Sequence, residues 1–204
     1  AGPKGILLTG FRNSELRKYT GMTLQEVSEI RGTSPQLTAM DLVVEDNSRI
    51  DAVFFLMSEE NVTKQIKKPW ISFGSDAGAV ANEGAFIEKS LHPRAYGNFA
   101  RVIGKYVRDE KALSMKEAIR RLTSLPAKNT GIQNRGSIEI DNYADIIVFD
   151  PIEINDKATF EKPHQYAVGM KHVFVNGIQV LNDGNHTGAM PGKIVRGPGW
   201  RGWN

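Results

Sequence analysis

Apolar residues recur along this chain in more than one rhythm, and each rhythm predicts a different element. The short run Ile6-Leu7-Leu8 reads as a strand that begins abruptly. From Thr23 onward, Leu24, Val27 and Ile30 keep the spacing of one face of a helix. Thr23 suits its N-cap, Glu26 three positions on completes a capping box, and Gly32 stops it. Ser34 caps a second helix with Pro35 in its first position, where no amide proton is needed, and Leu37, Met40, Val43 and Val44 fall on one face.

The pattern then changes to unbroken apolar runs. Residues 52–57 predict a strand buried on both faces, as in a parallel sheet. Ser58, with Asn61 three residues later, opens a helix through about Lys68 that Pro69 ends. A strand over 70–74 then runs into the small-residue loop Ser75-Asp76-Ala77-Gly78. Strand, helix, strand and loop form the unit of α/β architecture, whose right-handed crossover gathers the loops after the strands on one face. A helix follows over 98–111, with Phe99, Val102, Ile103 and Tyr106 on one side. Ser114 and Glu117 cap another, bearing Ala118, Ile119, Leu122 and Leu125, which Pro126 closes.

Beyond Pro126 the chain reads as strands and turns, over 136–140, 144–150 and 172–180, and Asn176-Gly177 between alternating apolar residues is a strong hairpin signal. From Gly184 a glycine-rich tail reads as coil, with Trp200 and Trp203 expected to pack back on the protein. Residues 1–126 are therefore expected to be α/β and residues 127–204 mostly β. Two or three strand-helix steps are too few for a closed (β/α)₈ barrel, which needs ~250 residues. That leaves a small α/β domain or a piece of something larger.

Composition narrows the class without naming a partner. The 204 residues are 40% hydrophobic and 24% charged, ordinary for a globular protein, and no run approaches a membrane span or a secretory signal. The cytoplasm is the default location. With no cysteine there is neither a disulfide nor a thiolate ligand. The net charge of +3 is scattered, and its densest cluster, Lys64, Lys67 and Lys68, sits at a predicted helix end where cations complement the dipole. No aromatic stacking platform accompanies it, so no nucleic-acid surface is expected.

Candidate chemistry is sparse. The histidines His92, His164, His172 and His186 form no His-x-His or His-Glu-x-x-His motif, and no nucleophile elbow or phosphate loop occurs. Asp76 stands out because a carboxylate at the C-terminal end of a parallel strand points to the face where α/β proteins build their sites. Spacing alone serves equally well a Ser75-Asp76 turn cap.

Larger blocks add a resemblance. Phe73-Gly74-Ser75-Asp76-Ala77-Gly78 and the stretch His92-Pro93-Arg94-Ala95-Tyr96-Gly97-Asn98-Phe99 resemble the N-acyl-D-amino-acid deacylases, or D-aminoacylases, of the amidohydrolase superfamily. Leu125-Pro126-Ala127, Arg135-Gly136-Ser137-Ile138, Val175-Asn176-Gly177 and the segment 186–192 continue it. Residues 144–150 alone mark only the superfamily, being shared with dihydroorotases, hydantoinases and deaminases.

The resemblance implies the last part of a (β/α)₈ barrel over 1–126, with residues 20–58 an insert or lid, followed by the C-terminal strands of a small β-sandwich over 127–204. It implies a zinc-dependent hydrolase of N-acyl-D-amino acids. On it, Asp76 is the catalytic aspartate and a metal ligand, Arg94 pairs with the substrate carboxylate, and Ser75 and His92 shape the substrate loop. The remaining metal ligands are expected on strands preceding residue 1, so this chain alone is expected to hold no zinc and to be inactive. Its partners are then the substrate and the N-terminal part of the same protein, with self-association through exposed apolar surface and neither membrane nor nucleic acid. The alternatives are a non-catalytic scaffold or binding module and a cyclic-amide hydrolase. A natural start codon at this point would favour the module, and turnover of cyclic ureides the latter.

Overall fold

Capping residues legible in the sequence set the helices of the first part of the chain. In the computed structural model, which describes residues 2–88 and 90–202, α1 spans Leu24–Arg31. The Thr23 hydroxyl accepts the Glu26 amide at 3.2 Å, while the Glu26 carboxylate accepts the Thr23 amide at 2.7 Å. Gly32 ends the helix at φ 63°, a left-handed geometry that glycine adopts without a Cβ penalty. The helix α2 spans Pro35–Asp46, with Ser34 Oγ accepting the Leu37 amide at 3.3 Å.

The chain forms two units: Ala1–Asn61 with Asp76–Tyr96 and Ala158–Tyr166, and Val62–Ser75 with Gly97–Lys157 and Ala167–Asn204. In the first, β1 (Ile6–Gly10) pairs antiparallel with β2 (Asp51–Phe54), Leu7 opposite Val53 and Leu8 opposite Ala52. The apolar run at 52–57 therefore does not form the doubly buried parallel strand its composition predicts. Hydrophobicity does not encode the direction of pairing, and past Phe54 the residues Leu56 and Met57 are exposed. Leu8, Phe11, Leu16, Tyr19, Leu24, Val27 and Leu42 form the core of this unit.

The face that α2 buries also differs from the apolar one. Leu37, Met40, Val43 and Val44 are exposed, and the buried stripe is Thr38, Leu42 and Asp46 at i, i+4 and i+8. Its polar members are satisfied in place. The Thr38 and Thr33 hydroxyls lie 2.7 Å apart, and Asp46 accepts the Asn13 amide at 2.8 Å, the Arg12 amide at 3.3 Å and the Ser48 hydroxyl at 2.5 Å. Burial pushes the Asp46 carboxyl up, but these hydrogen bonds and the Arg12 charge outweigh it and leave it below the usual carboxylate range.

Next comes α3 (Glu59–Ile66), with Ser58 Oγ accepting the Asn61 amide at 3.3 Å. The helix α4 (Arg94–Arg101) starts earlier than the apolar pattern places it and widens into a π-helical stretch, Val102–Asp109, marked by the i→i+5 bond from the Glu110 amide to the Lys105 carbonyl at 2.8 Å. Its Gly104 sits so near the Ile154 carbonyl that a Cβ would lie 2.7 Å from that oxygen. The helix α5 (Met115–Leu122) is capped by Ser114, and α6 (Ser124–Thr130) carries Pro126 in its first turn instead of ending before it. A proline there removes only an amide that no helical carbonyl needs.

The second unit carries a four-stranded antiparallel sheet in the order β3 (Ile146–Phe149), β4 (Met170–Val175), β5 (Ile178–Asn182), β6 (Asn185–His186). Asn176 and Gly177 turn the hairpin at φ 50° and 81°, the signature of a type I′ turn. Residues 136–140 form no strand, and Ile138 and Ile140 are exposed. Ala100, Ile103 and Ile154 centre the core, with Ile119, Phe149 and Met170 against them. Arg196 stacks over the Trp200 ring at 4.4 Å, and Trp203 lies outside the described residues.

Candidate active site

Two consecutive arginines of α5 position the segment that leads to Asp76. Residues 70–74 are not a strand, since no ladder partner occurs for them among the described residues. Side chains hold them instead. Arg121 Nε donates to the Ile71 carbonyl at 2.6 Å and Nη1 to the Ile66 carbonyl, while the guanidinium lies 4.5 Å from the centre of the Phe73 ring. Arg120 Nη2 donates to the Pro69 carbonyl at 2.6 Å. Arg121 is 1% exposed, and burial lowers its pKa from the usual arginine value. Sequence reasoning overlooked it. The available signal was a cation spaced i+3 from Ala118 on the apolar side of an amphipathic helix.

Asp76 follows, in a left-handed backbone conformation at φ 47°. Aspartate enters this region more readily than most residues. Its carboxylate is 90% exposed and meets Arg94: Nη2 donates at 2.8 Å both to Asp76 Oδ2 and to the Asp76 carbonyl. Ser75, just before it, is half-buried and belongs to the other unit.

Arg94 is the first residue of α4, and its own amide donates to His92 Nδ1 at 3.1 Å. That bond leaves the proton of the neutral imidazole on Nε2. The His92 ring meets Phe160 edge-on at 5.1 Å, and Phe160 meets Phe55 likewise at 4.8 Å. Burial, and secondarily the Arg94 charge, lower the His92 pKa. The imidazole is therefore held neutral as an acceptor. The Arg94 Nε is buried and makes no hydrogen bond, so that edge of the guanidinium fork is uncommitted. Leaving such a donor unmatched costs about 1–3 kcal/mol.

Tyrosines fasten the loop after Asp76. The Tyr96 hydroxyl donates to the Ala81 carbonyl at 3.0 Å, the Asn82 amide donates to the Tyr166 hydroxyl at 3.1 Å, and the two rings meet at 5.7 Å. A cavity of about 470 Å³ in the same unit is lined by Leu7, Thr20, Ser90, Phe160 and His164 among others. Asp76 and Arg94 are not among its lining residues. His92, which accepts the Arg94 amide, touches Phe160 of that lining.

Of the residues singled out in the sequence, Asp76, Arg94 and His92 are thus brought together. His164, in the same unit, meets the Tyr96 ring edge-on at 6.0 Å and lines the cavity, and the remaining two histidines belong to the second unit. His172 Nδ1 lies 3.2 Å from the Gln179 amide nitrogen in β4–β5, and His186 Nδ1 accepts the Gly188 amide at 3.0 Å. Among the described residues, no three His, Cys, Asp or Glu side chains gather where they could hold a metal ion. Asp76 could offer one carboxylate oxygen, and these residues alone do not fit a zinc ion, which takes at least three protein ligands.

Residues 20–181 match the sequence profile described as the Amidohydrolase family. The chain is 32% identical over 178 residues to a D-aminoacylase of Alcaligenes xylosoxydans xylosoxydans, covering 87% of this chain and 34% of that protein. Its fold superposes on a crystal structure of D-aminoacylase with a TM-score of 0.79 at 32% identity, covering 93% of this chain and 37% of the other. An N-acyl-D-glutamate deacylase from Bordetella bronchiseptica, solved with zinc and a phosphonate inhibitor that mimics the tetrahedral intermediate, superposes with a TM-score of 0.76 at 29% identity, covering 88% and 35%. The chain therefore spans about a third of the length of the relatives it matches.

Proposed function

The chain belongs to the amidohydrolase family, and from that premise we propose that it is the part of an N-acyl-D-amino-acid deacylase that supplies the catalytic carboxylate and the substrate-binding arginine. The observation that carries this reading is the Asp76–Arg94 pair, one proton acceptor and one carboxylate receptor with a 2.8 Å contact between them at the start of α4. The likeness to D-aminoacylase over 87% of the chain supports the substrate class.

Each residue has a role that its chemistry suits. Asp76 accepts a proton from the attacking water and returns it to the leaving amine, which a positioned carboxylate can do in both directions. Arg94 receives the α-carboxylate of the substrate in a bidentate fork, which fixes the chiral centre relative to the scissile amide. His92 sets the backbone of Arg94, and Ser75 shapes the approach to Asp76. The deacylase solved with zinc supports a zinc-dependent whole enzyme. On this proposal the other zinc ligands lie on polypeptide beyond these 204 residues, and Asp76 is the contribution made here. Residues 20–58 then serve as a lid, and the rest of the same protein covers exposed apolar groups such as Leu56 and Met57.

Two assays test this. The full protein with zinc is expected to hydrolyse N-acetyl-D-amino acids in preference to their L-enantiomers and to cyclic ureides, and a preference for the ureides would transfer it to another reaction. The 204-residue chain alone, supplied with zinc, is expected to give no turnover, and hydrolysis above the buffer rate would overturn that part.

A further inference from the structure

We propose that residues 158–166, an arm sent out between β3 and β4, are a working part of the candidate site, in which Phe160 positions Arg94 through His92 and Tyr166 positions the loop that follows Asp76. The reaction it serves rests on the deacylase reading above, and the arm itself rests on geometry. Antiparallel neighbours need only a short turn, yet β3 ends at Phe149 and β4 starts at Met170. In between, the chain leaves the second unit after Lys157 and rejoins it at Ala167, and the stretch Ala158–Tyr166 belongs to the first unit. At the neck of this excursion the Asn155 amide donates to the Val168 carbonyl at 3.2 Å, and the Val168 amide to the Asn155 carbonyl at 3.0 Å. Asp156 beside them accepts Arg101 Nη1 at 2.9 Å, and a Cβ on Gly97 would lie 2.5 Å from the Asp156 Cβ. The neck is thus fixed to the C-terminal part of α4. Within the arm, the Thr159 amide donates to the Lys162 carbonyl at 3.1 Å, the Lys162 amide to Thr159 Oγ1 at 3.0 Å and Gln165 Nε2 to the Lys162 carbonyl at 2.8 Å. A loop with closed ends and its own internal contacts can hold side chains in place without a ladder or a helix.

The side chains of the arm reach both flanks of the Asp76–Arg94 pair. Phe160 sets its ring edge-on to His92 at 5.1 Å and to Phe55 at 4.8 Å, and His92 Nδ1 accepts the Arg94 amide. The Tyr166 hydroxyl accepts the Asn82 amide at 3.1 Å, and its ring meets Tyr96, whose own hydroxyl donates to the Ala81 carbonyl. Two separable effects follow. Without the Phe160 ring, His92 and the backbone of Arg94 are held less firmly, which weakens binding of substrate and transition state alike and raises KM. Without the Tyr166 hydroxyl, the loop after Asp76 is freed, which misplaces a group acting in the chemical step and lowers kcat.

The test is steady-state hydrolysis of N-acetyl-D-alanine by the full, zinc-loaded protein. Phe160→Leu is expected to raise KM about three- to tenfold with kcat within about twofold of the parent, and Phe160→Tyr, which keeps the ring, to retain the parental KM. Tyr166→Phe, which removes one hydroxyl, is expected to lower kcat about three- to tenfold with KM unchanged. Packing alone predicts neither the split nor the retention by tyrosine. Constants within about twofold of the parent in both Phe160→Leu and Tyr166→Phe overturn the proposal, as does a loss in Phe160→Leu that Phe160→Tyr shares. Hydrogen exchange of the same full-length proteins reads the arm apart from the reaction: Tyr166→Phe is expected to speed exchange over residues 77–83 and Phe160→Leu over residues 92–96, each leaving α5 unchanged. A parent that hydrolyses no N-acyl-D-amino acid removes the deacylase reading alone. The arm then stands on that exchange, and falls if the exchange is unchanged.

Discussion

Arg121 is the most consequential side chain that no motif identifies, and replacing it tests how the segment before Asp76 is held. Its two hydrogen bonds to the Ile71 and Ile66 carbonyls are charge-assisted, worth about 1.5–3 kcal/mol each in favourable settings. The stack on Phe73 adds about 0.5–2 kcal/mol. Against these stands the cost of keeping a cation 1% exposed, which is several kcal/mol. Arg121→Met keeps the apolar stem and removes the charge together with its desolvation penalty, but leaves the carbonyls without their donors, so a net loss of about 2–3 kcal/mol is expected. Arg121→Ala also opens a cavity and should cost about 3–5 kcal/mol. Urea unfolding measures both, and hydrogen exchange over residues 66–76 should rise in the methionine variant. A methionine variant within about 0.5 kcal/mol of the parent, with unchanged exchange, would refute the claim that Arg121 stands in for sheet pairing.

Other expectations are independent of that one. Asp46 is held below the usual carboxylate range in the fold, so it contributes stability above its unfolded pKa that is lost as pH falls through the folded value; Asp46→Asn should lower stability at neutral pH and flatten the acid limb of a pH–stability curve below about pH 4. His92, also held below its ordinary value, contributes stability present above about pH 6.5 and lost as pH falls through its folded pKa; His92→Phe should remove that dependence and, in the full enzyme, raise KM more than it lowers kcat. Gly104→Ala places a methyl 2.7 Å from the Ile154 carbonyl oxygen and should cost about 1–3 kcal/mol by overpacking, read from the urea midpoint. The chain alone exposes Phe54, Leu56 and Met57 in its first unit, so gel filtration should show self-association; a monodisperse monomer would count against it.

What the sequence revealed, it revealed through local chemistry. Thr23, Ser34, Ser58 and Ser114 cap helices where their spacing places caps, because the cap and its amide lie three residues apart and need nothing distant. The Asn176-Gly177 turn was legible for the same reason. Pairing direction was not. The run at 52–57 pairs antiparallel with β1, and 70–74 pairs with no strand among the described residues, because a strand's partner is set by segments remote in sequence. The buried stripe of α2 was hidden because two of its three members, Thr38 and Asp46, are polar and are tolerated only through hydrogen bonds from Thr33, Arg12, Asn13 and Ser48. In the candidate site, the strand-end position and the family resemblance pointed to Asp76 and Arg94. Their direct contact, and the dependence of Arg94 on His92 Nδ1, emerge only in three dimensions.

The most direct test of the account is the rate of N-acetyl-D-amino acid hydrolysis by the full, zinc-loaded protein with Asp76 replaced by Asn, which preserves shape and removes the proton acceptor. A positioned general acid–base contributes about 10²–10⁴-fold, so at saturating zinc and with the fold unchanged kcat is expected to fall by at least a hundredfold. A variant that retains kcat within a few-fold of the parent would contradict the role given to Asp76.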